Sequence, residues 1–260
     1  MEMLCEIHPL HEWRGLLSQL VKMAFSIFSI IGTLPIVIVF GLYFIITINS
    51  YLKTKNLSTI FFSLSFLATT LTYTVWGLRV FLLPQYDPHI SNLLPYWTSA
   101  YLFASLSLIF LDFACIELSG IENKRIKQII YSIILITYSI LVAILFIGFE
   151  VEITTFMDVS DLSISNIFVY AYFILLLLFY LTLPNIVFIN YIRTSILKTS
   201  LTYKKVRTIE MGLSLFTIGT ILDGARFPSN IGILIARILI MIGGLIMLIG
   251  FTFKPRAKED

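Results

Sequence analysis

The sequence predicts an all-α fold: a polytopic bundle of seven transmembrane helices, N-terminus outside and C-terminus cytoplasmic. Three observations predict it. Hydrophobic residues make up 58% of the 260 positions and charged residues only 13%, where soluble domains carry about a quarter. The apolar residues gather into seven runs, each long enough to cross about 30 Å of hydrocarbon. Basic residues gather beside alternate ends of those runs.

The chain begins with an outer N-terminal segment, residues 1–22. Leu10, Trp13, Leu16, Leu17, Leu20 and Val21 recur at helical spacing, with His11, Glu12, Arg14, Gln19 and Lys22 between them. This pattern fits a helix lying on the membrane surface or an outward extension of the first span. Glu2 and Glu6 stand where a cleavable signal would be basic, so the first span is expected to be its own uncleaved anchor.

The membrane domain, residues 23–252, holds runs at 23–51, 57–83, 93–118, 128–149, 164–193, 206–227 and 230–252. Seven is odd, so the termini lie on opposite sides. The connections after runs 1, 3 and 5 carry Lys53 and Lys55; Lys124, Arg125 and Lys127; and Arg193, Lys198, Lys204, Lys205 and Arg207. The tail, residues 253–260, adds Lys254, Arg256 and Lys258. Across the membrane stand Asp87, His89, Glu150, Glu152, Asp158 and Asp161. The positive-inside rule then orients the chain in the cell membrane. The aromatics Tyr73, Trp76, Tyr86, Tyr96, Trp97 and Tyr101 cluster at the outer interface. The +3 net charge is thus accounted for by orientation, and no nucleic-acid partner is expected.

Thr33-Leu34-Pro35 reappears as Thr182-Leu183-Pro184, an offset of 149 (182 − 33). At that offset Lys55 meets Lys204 and Thr59-Ile60 meets Thr208-Ile209; after a two-residue slip Gly77-Leu78-Arg79 meets Gly224-Ala225-Arg226. Either apolar sequence has produced coincidences, or two parallel three-helix units flank helix 4 in a 3+1+3 repeat, as in SWEET transporters.

Charge inside the spans points to candidate sites, because each buried charge costs roughly 2.5 to 3.5 kcal/mol on insertion scales. Asp223, Arg226 and Arg237 fall at matching outer depths on consecutive helices, and Arg79 ends helix 2. One reading is a structural pair, Asp223–Arg237 or Asp223–Arg226, that locks helices 6 and 7 together; Arg79 and Arg226 are also placed to reach out to the interface. A second is a ligand-binding site, since three guanidinium forks against one acid suit a carboxylate or phosphate. Contact with lipid headgroups is a third. At the inner side Asp112, Glu117 and Glu210 lie near Lys204, Lys205 and Arg207. They fit an ionic latch between helices 3 and 6, or a proton or ion relay. Thr69, Thr70, Thr72 and Thr74 in helix 2 are expected to bond their own backbone.

Pro35 and Pro184 interrupt helices 1 and 5, and Gly243-Gly244 permits close helix contact in helix 7. Cys5 and Cys115 fall on opposite sides of the membrane, so no disulfide forms between them. No Ser-His-Asp set, Cys-His cluster or phosphate-cradling loop is present in the sequence. No enzymatic activity, cofactor or metal centre is therefore expected.

Tyr96-Trp97 opening helix 3, and Asp112 near its inner end, resemble the third helix of microbial rhodopsins. The seven-helix layout is also similar to the sensor modules that precede prokaryotic histidine kinases. Retinal would need a lysine in helix 7, and residues 230–252 contain Arg237 but no Lys. The resemblance implies a bilayer-embedded sensor or receptor. The outer arginines add the expectation that it binds a small, anionic ligand in the outer half, and signalling then requires a cytoplasmic or membrane partner at the basic inner loops. The alternative is a small-solute carrier of the 3+1+3 type.

Overall fold

The computed structural model describes residues 9–82, 89–119, 121–147, 151–156, 159–195, 200–224 and 230–252. They form seven helices and one small hairpin: α1 Pro9–Thr54, α2 Leu57–Leu82, α3 Ile90–Leu118, α4 Lys124–Ile147, β1 Val151–Phe156, β2 Val159–Ile164, α5 Ile167–Ser195, α6 Leu201–Gly224 and α7 Asn230–Thr252. Arg226, Cys5 and the tail lie outside the described residues.

Local chemistry sets the helix starts. Asn56 Oδ1 accepts the Ser58 N–H at 2.9 Å, Asn123 Oδ1 the Arg125 N–H at 2.9 Å, and Asn166 Oδ1 the Phe168 N–H at 3.0 Å. Each cap satisfies a donor that the first turn leaves open. Ser200 does the same for Tyr203 at 3.1 Å. Lys55, with φ 54°, takes the left-handed conformation after α1, and its N–H bonds Tyr51 O at 2.7 Å. The next helix then starts within two residues.

Six helices among the described residues are long and apolar enough to cross a membrane: α1 from Gly32, α2, α3, α4, α5 and α7. The chain is a helical integral membrane bundle. α1 is unbroken through residue 22, so its 46 residues extend about 69 Å. α6 is the helix outside this set, since Lys204, Lys205, Arg207, Glu210 and Asp223 dilute its apolar surface. It nevertheless lies antiparallel against α7 along its length. A Cβ on Gly212 would fall 2.6 Å from Gly243 O, and one on Gly250 2.7 Å from Ile209 Cγ1. Only glycine lets the two backbones come so close. The neighbouring Gly244 instead faces Phe40 and Val39 of α1.

The main helix contacts run α1 to α2, α2 to α3, α3 to α5, α5 to α6, α6 to α7 and α7 back to α1. This closes a six-helix ring. α4 lies outside it against α3, tied to α5 where the Tyr180 hydroxyl donates to Ile134 O at 2.9 Å. The ring is filled by Phe40, Tyr43, Phe62, Phe66, Leu181, Leu213 and Phe216, with Tyr43 stacked on Phe66 at 3.7 Å.

One connection of the helical bundle carries a small β-hairpin that the sequence reading did not include. Residues 151–164, read from sequence only as an acidic connection, pair antiparallel with Val151 opposite Ile164 and Phe156 opposite Val159. Leu162 and Ile164 bury against Leu93, Trp97 and Leu141. The fifth apolar run was set to begin at 164, but Ile164 belongs to β2 and α5 starts at Ile167.

Candidate functional site

Asp223 is the penultimate residue of α6, a position where the helix dipole disfavours a carboxylate. Two neighbours offset this. Arg237, in the second turn of α7, places Nε 3.7 Å from Asp223 Oδ1. The Tyr73 hydroxyl of α2 stands beside the same carboxylate, in electrostatic reach of it. Arg237 Nη1 in turn donates to Thr33 Oγ1 of α1 at 3.4 Å. The guanidinium fits because residue 32 is glycine: a Cβ there would meet Arg237 Cδ at 3.2 Å and Nη1 at 3.3 Å. One cluster thus draws groups from α1, α2, α6 and α7. Arg237 is 8% exposed, and the Asp223 side chain 26%.

Asp223 and Arg237 are therefore brought together as their matching depths suggested. Arg79 sits six residues beyond Tyr73, about 9 Å along α2, with its guanidinium 4.3 Å from the Trp76 ring centre. At 4% exposure it is buried. This corrects the expectation that Arg79 reaches out to the interface. The cation lies over an aromatic face that attracts it, and it ends α2, where the dipole favours positive charge. Tyr73, Thr33 and Gly32 were missed as site residues. A buried tyrosine usually finds a partner for its hydroxyl, and that was the available signal for Tyr73; for Gly32 there was none.

The inner acids divide. Glu117 pairs with Lys127 Nζ at 2.8 Å and accepts the Tyr131 hydroxyl, both from α4. This corrects the latch between helices 3 and 6, because Glu117 at the end of α3 faces α4. Glu210 lies 2.9 Å from the Ser214 hydroxyl, which is also 3.0 Å from Asn185 Oδ1 of α5. A hydroxyl has one hydrogen, so Ser214 donates to one acceptor at a time. Asn185 is oriented by Nδ2, which donates to Leu181 O at 2.7 Å and Thr217 Oγ1 at 2.8 Å. Lys204 and Arg207 are exposed. Asp112 stands apart: it is 0% exposed, and neither carboxylate oxygen receives a hydrogen bond from any described residue.

Thr69, Thr70, Thr72 and Thr74 each donate to the carbonyl four residues earlier, at 2.8 to 3.0 Å. They satisfy themselves and form no polar route. Thr69 also meets Ser107 Oγ at 2.6 Å, fastening α2 to α3. Among the described residues no set of three His, Cys, Asp or Glu side chains is placed to hold a metal ion. No protein family matches the chain and no curated protein matches it, so the functional argument rests on these residues.

Proposed function

We propose that this protein crosses the cell membrane seven times, with its N-terminus outside. It acts as a receptor-like sensor of a small anion. Two features support the topology. α6 follows α7 from Gly250 to Arg237, and a helix with charged residues can cross when those residues face protein. Lys53, Lys55, Lys124, Arg125, Lys127, Arg193, Lys204, Lys205 and Arg207 all belong to one set of alternate helix ends, which the positive-inside rule assigns to the cytoplasm.

The observation that carries the sensing role is the convergence of α1, α2, α6 and α7 on the Asp223–Arg237 pair. A guanidinium fork binds carboxylate or phosphate in bidentate fashion. An anion that draws Arg237 from Asp223 exchanges one set of interhelix contacts for another. It shifts the helices only as far as its affinities for the two arrangements differ. The basic inner ends offer a surface to an acidic signalling partner.

The contact order favours a second reading, a solute carrier. The pairs α1–α2 and α2–α3 are matched by α5–α6 and α6–α7, and the seams α3–α5 and α7–α1 correspond. That order suits a 3+1+3 repeat about an axis along the membrane normal, with α4 as the outlying linker.

Thermal unfolding of the purified protein with inorganic phosphate, acetate and succinate tests the first reading. A stabilising anion raises the midpoint of the wild type by mass action and leaves Arg237→Ala unmoved. Equal effects on both proteins, or none, would remove the anion site. Uptake of the stabilising anion by liposomes holding only this protein would instead favour the carrier.

A further inference from the structure

The structure assigns a second site, for a single positive charge, to Asp112 at the seam between α3 and α5. Asp112 is fully buried, and both its oxygens lack a hydrogen-bond donor among the described residues. A carboxylate taken out of water in this way needs a compensating charge.

The surroundings show what does not supply it. On α4, which packs on the inner part of α3, Lys127 and Tyr131 are engaged by Glu117. On α2 the groups meeting α3 at Ser107 are the uncharged hydroxyls of Ser65 and Thr69. On α5 the group in electrostatic reach is the Tyr180 phenol, and on α3 itself the buried thiol of Cys115, one turn on. None of these is a cation. The buried Arg79 and Arg237 lie toward the other end of the bundle: from the Thr69–Ser107 contact, Arg79 is about 15 Å and the Tyr73 level of Arg237 about 6 Å along α2 one way, and Asp112 about 7.5 Å along α3 the other way.

The facing helix carries a proline. Residue 184 is proline, is fully buried and lies within continuous helix. It has no N–H to give the carbonyl four residues earlier, which is that of Tyr180. A carboxylate buried without a donor suits either a proton carried on one of its own oxygens or a sodium ion held beside it. Both deliver one positive charge into the α3–α5 seam. This seam is separate from the outer cluster, so the site stands whether or not that cluster binds an anion.

The test compares detergent-solubilised wild type with Asp112→Asn, which keeps the shape and removes the charge. Unfolding midpoints are followed across pH, and across sodium concentration at constant ionic strength with choline as the replacement. Without the cation the wild type holds an uncompensated buried charge, so Asp112→Asn is the more stable protein at alkaline pH in choline. A gap that closes on acidification alone identifies a proton; one that closes with sodium at fixed pH identifies the metal ion. A gap that stays constant under both changes overturns the assignment. Should Asp112→Asn fail to fold, wild type alone decides: a midpoint insensitive to sodium, together with an infrared spectrum lacking a protonated-carboxyl band, overturns it equally.

Discussion

Arg237 Nε lies 3.7 Å from Asp223 Oδ1, joining the second turn of α7 to the last turn of α6. This is ion-pair distance, longer than the 2.7–2.9 Å of a charge-assisted hydrogen bond. The carboxylate has the Tyr73 hydroxyl beside it and the guanidinium gives a hydrogen bond to Thr33. The pair is thus held by two helices besides the two that carry it.

Breaking a buried pair by removing one partner costs about 3 to 5 kcal/mol, because the other charge is left behind. Arg237→Ala is expected to lose an amount of that order in thermal or denaturant unfolding. Asp223→Asn introduced into Arg237→Ala recovers part of it, and the double-mutant cycle reports a coupling energy. Additive effects would mean that the two side chains do not act as a pair.

Gly32 tests the room the cluster needs. Gly32→Ala places a Cβ 3.2 Å from Arg237 Cδ, a contact relieved by a small shift of a flexible side chain. Gly32→Leu has no such relief, and overpacking of this kind costs about 1 to 3 kcal/mol. Stability is therefore expected to fall in the order wild type, Ala, Leu, and any anion effect to vanish in Gly32→Leu. Leucine behaving like glycine would place Arg237 elsewhere.

The fold was legible because hydrocarbon imposes simple rules. A span must be long and apolar, and these rules found six of the helices directly. α6 was legible as a run although its charges dilute it, since a helix need be apolar only where it meets lipid. Depth was legible too: counting about 1.5 Å per residue back from position 228 and on from position 230 brought Asp223 and Arg237 level. What depth cannot give is the angle about each helix axis. Glu117 and Glu210 share an inner depth, yet Glu117 bonds Lys127 and Tyr131 of α4 while Glu210 meets Ser214 of its own helix, so the expected latch between helices 3 and 6 does not form between them. The hairpin was missed for another reason. Val151, Ile153, Thr154 and Thr155 form a β-branched strand signal, but the connection was read for its acids alone.

Glu117 and Lys127 give a test of that corrected pairing. Their side chains are 17% and 21% exposed, so the pair is partly shielded and the Tyr131 hydroxyl adds to it. Lys127→Met is expected to destabilise the protein by about 1 kcal/mol or more, since hydrogen bonds to charged groups are worth roughly 1.5 to 3 kcal/mol. Lys204→Met, at an exposed position of α6, is expected to stay within about 0.5 kcal/mol. The reverse ranking would restore a latch between α3 and α6.

Orientation is tested with two single cysteines on either side of α5. Cys115 is buried and serves as an inert background, and Cys5 is replaced by serine. Ser165 is exposed just before α5, and Thr202 is exposed in the first turn of α6. One helix of 29 residues separates them, longer than the roughly 20 residues a crossing takes, so they lie on opposite sides whichever way the protein faces. On the proposed topology the basic residues Arg193, Lys204, Lys205 and Arg207 mark the 202 side as cytoplasmic. In intact cells Ser165→Cys is therefore expected to react with a membrane-impermeant maleimide, and Thr202→Cys only with a permeant one. Exchange of the two results would invert the topology and move the Asp223–Arg237 cluster to the cytoplasmic half. Labelling of both by the impermeant reagent would mean that α5 does not span the membrane.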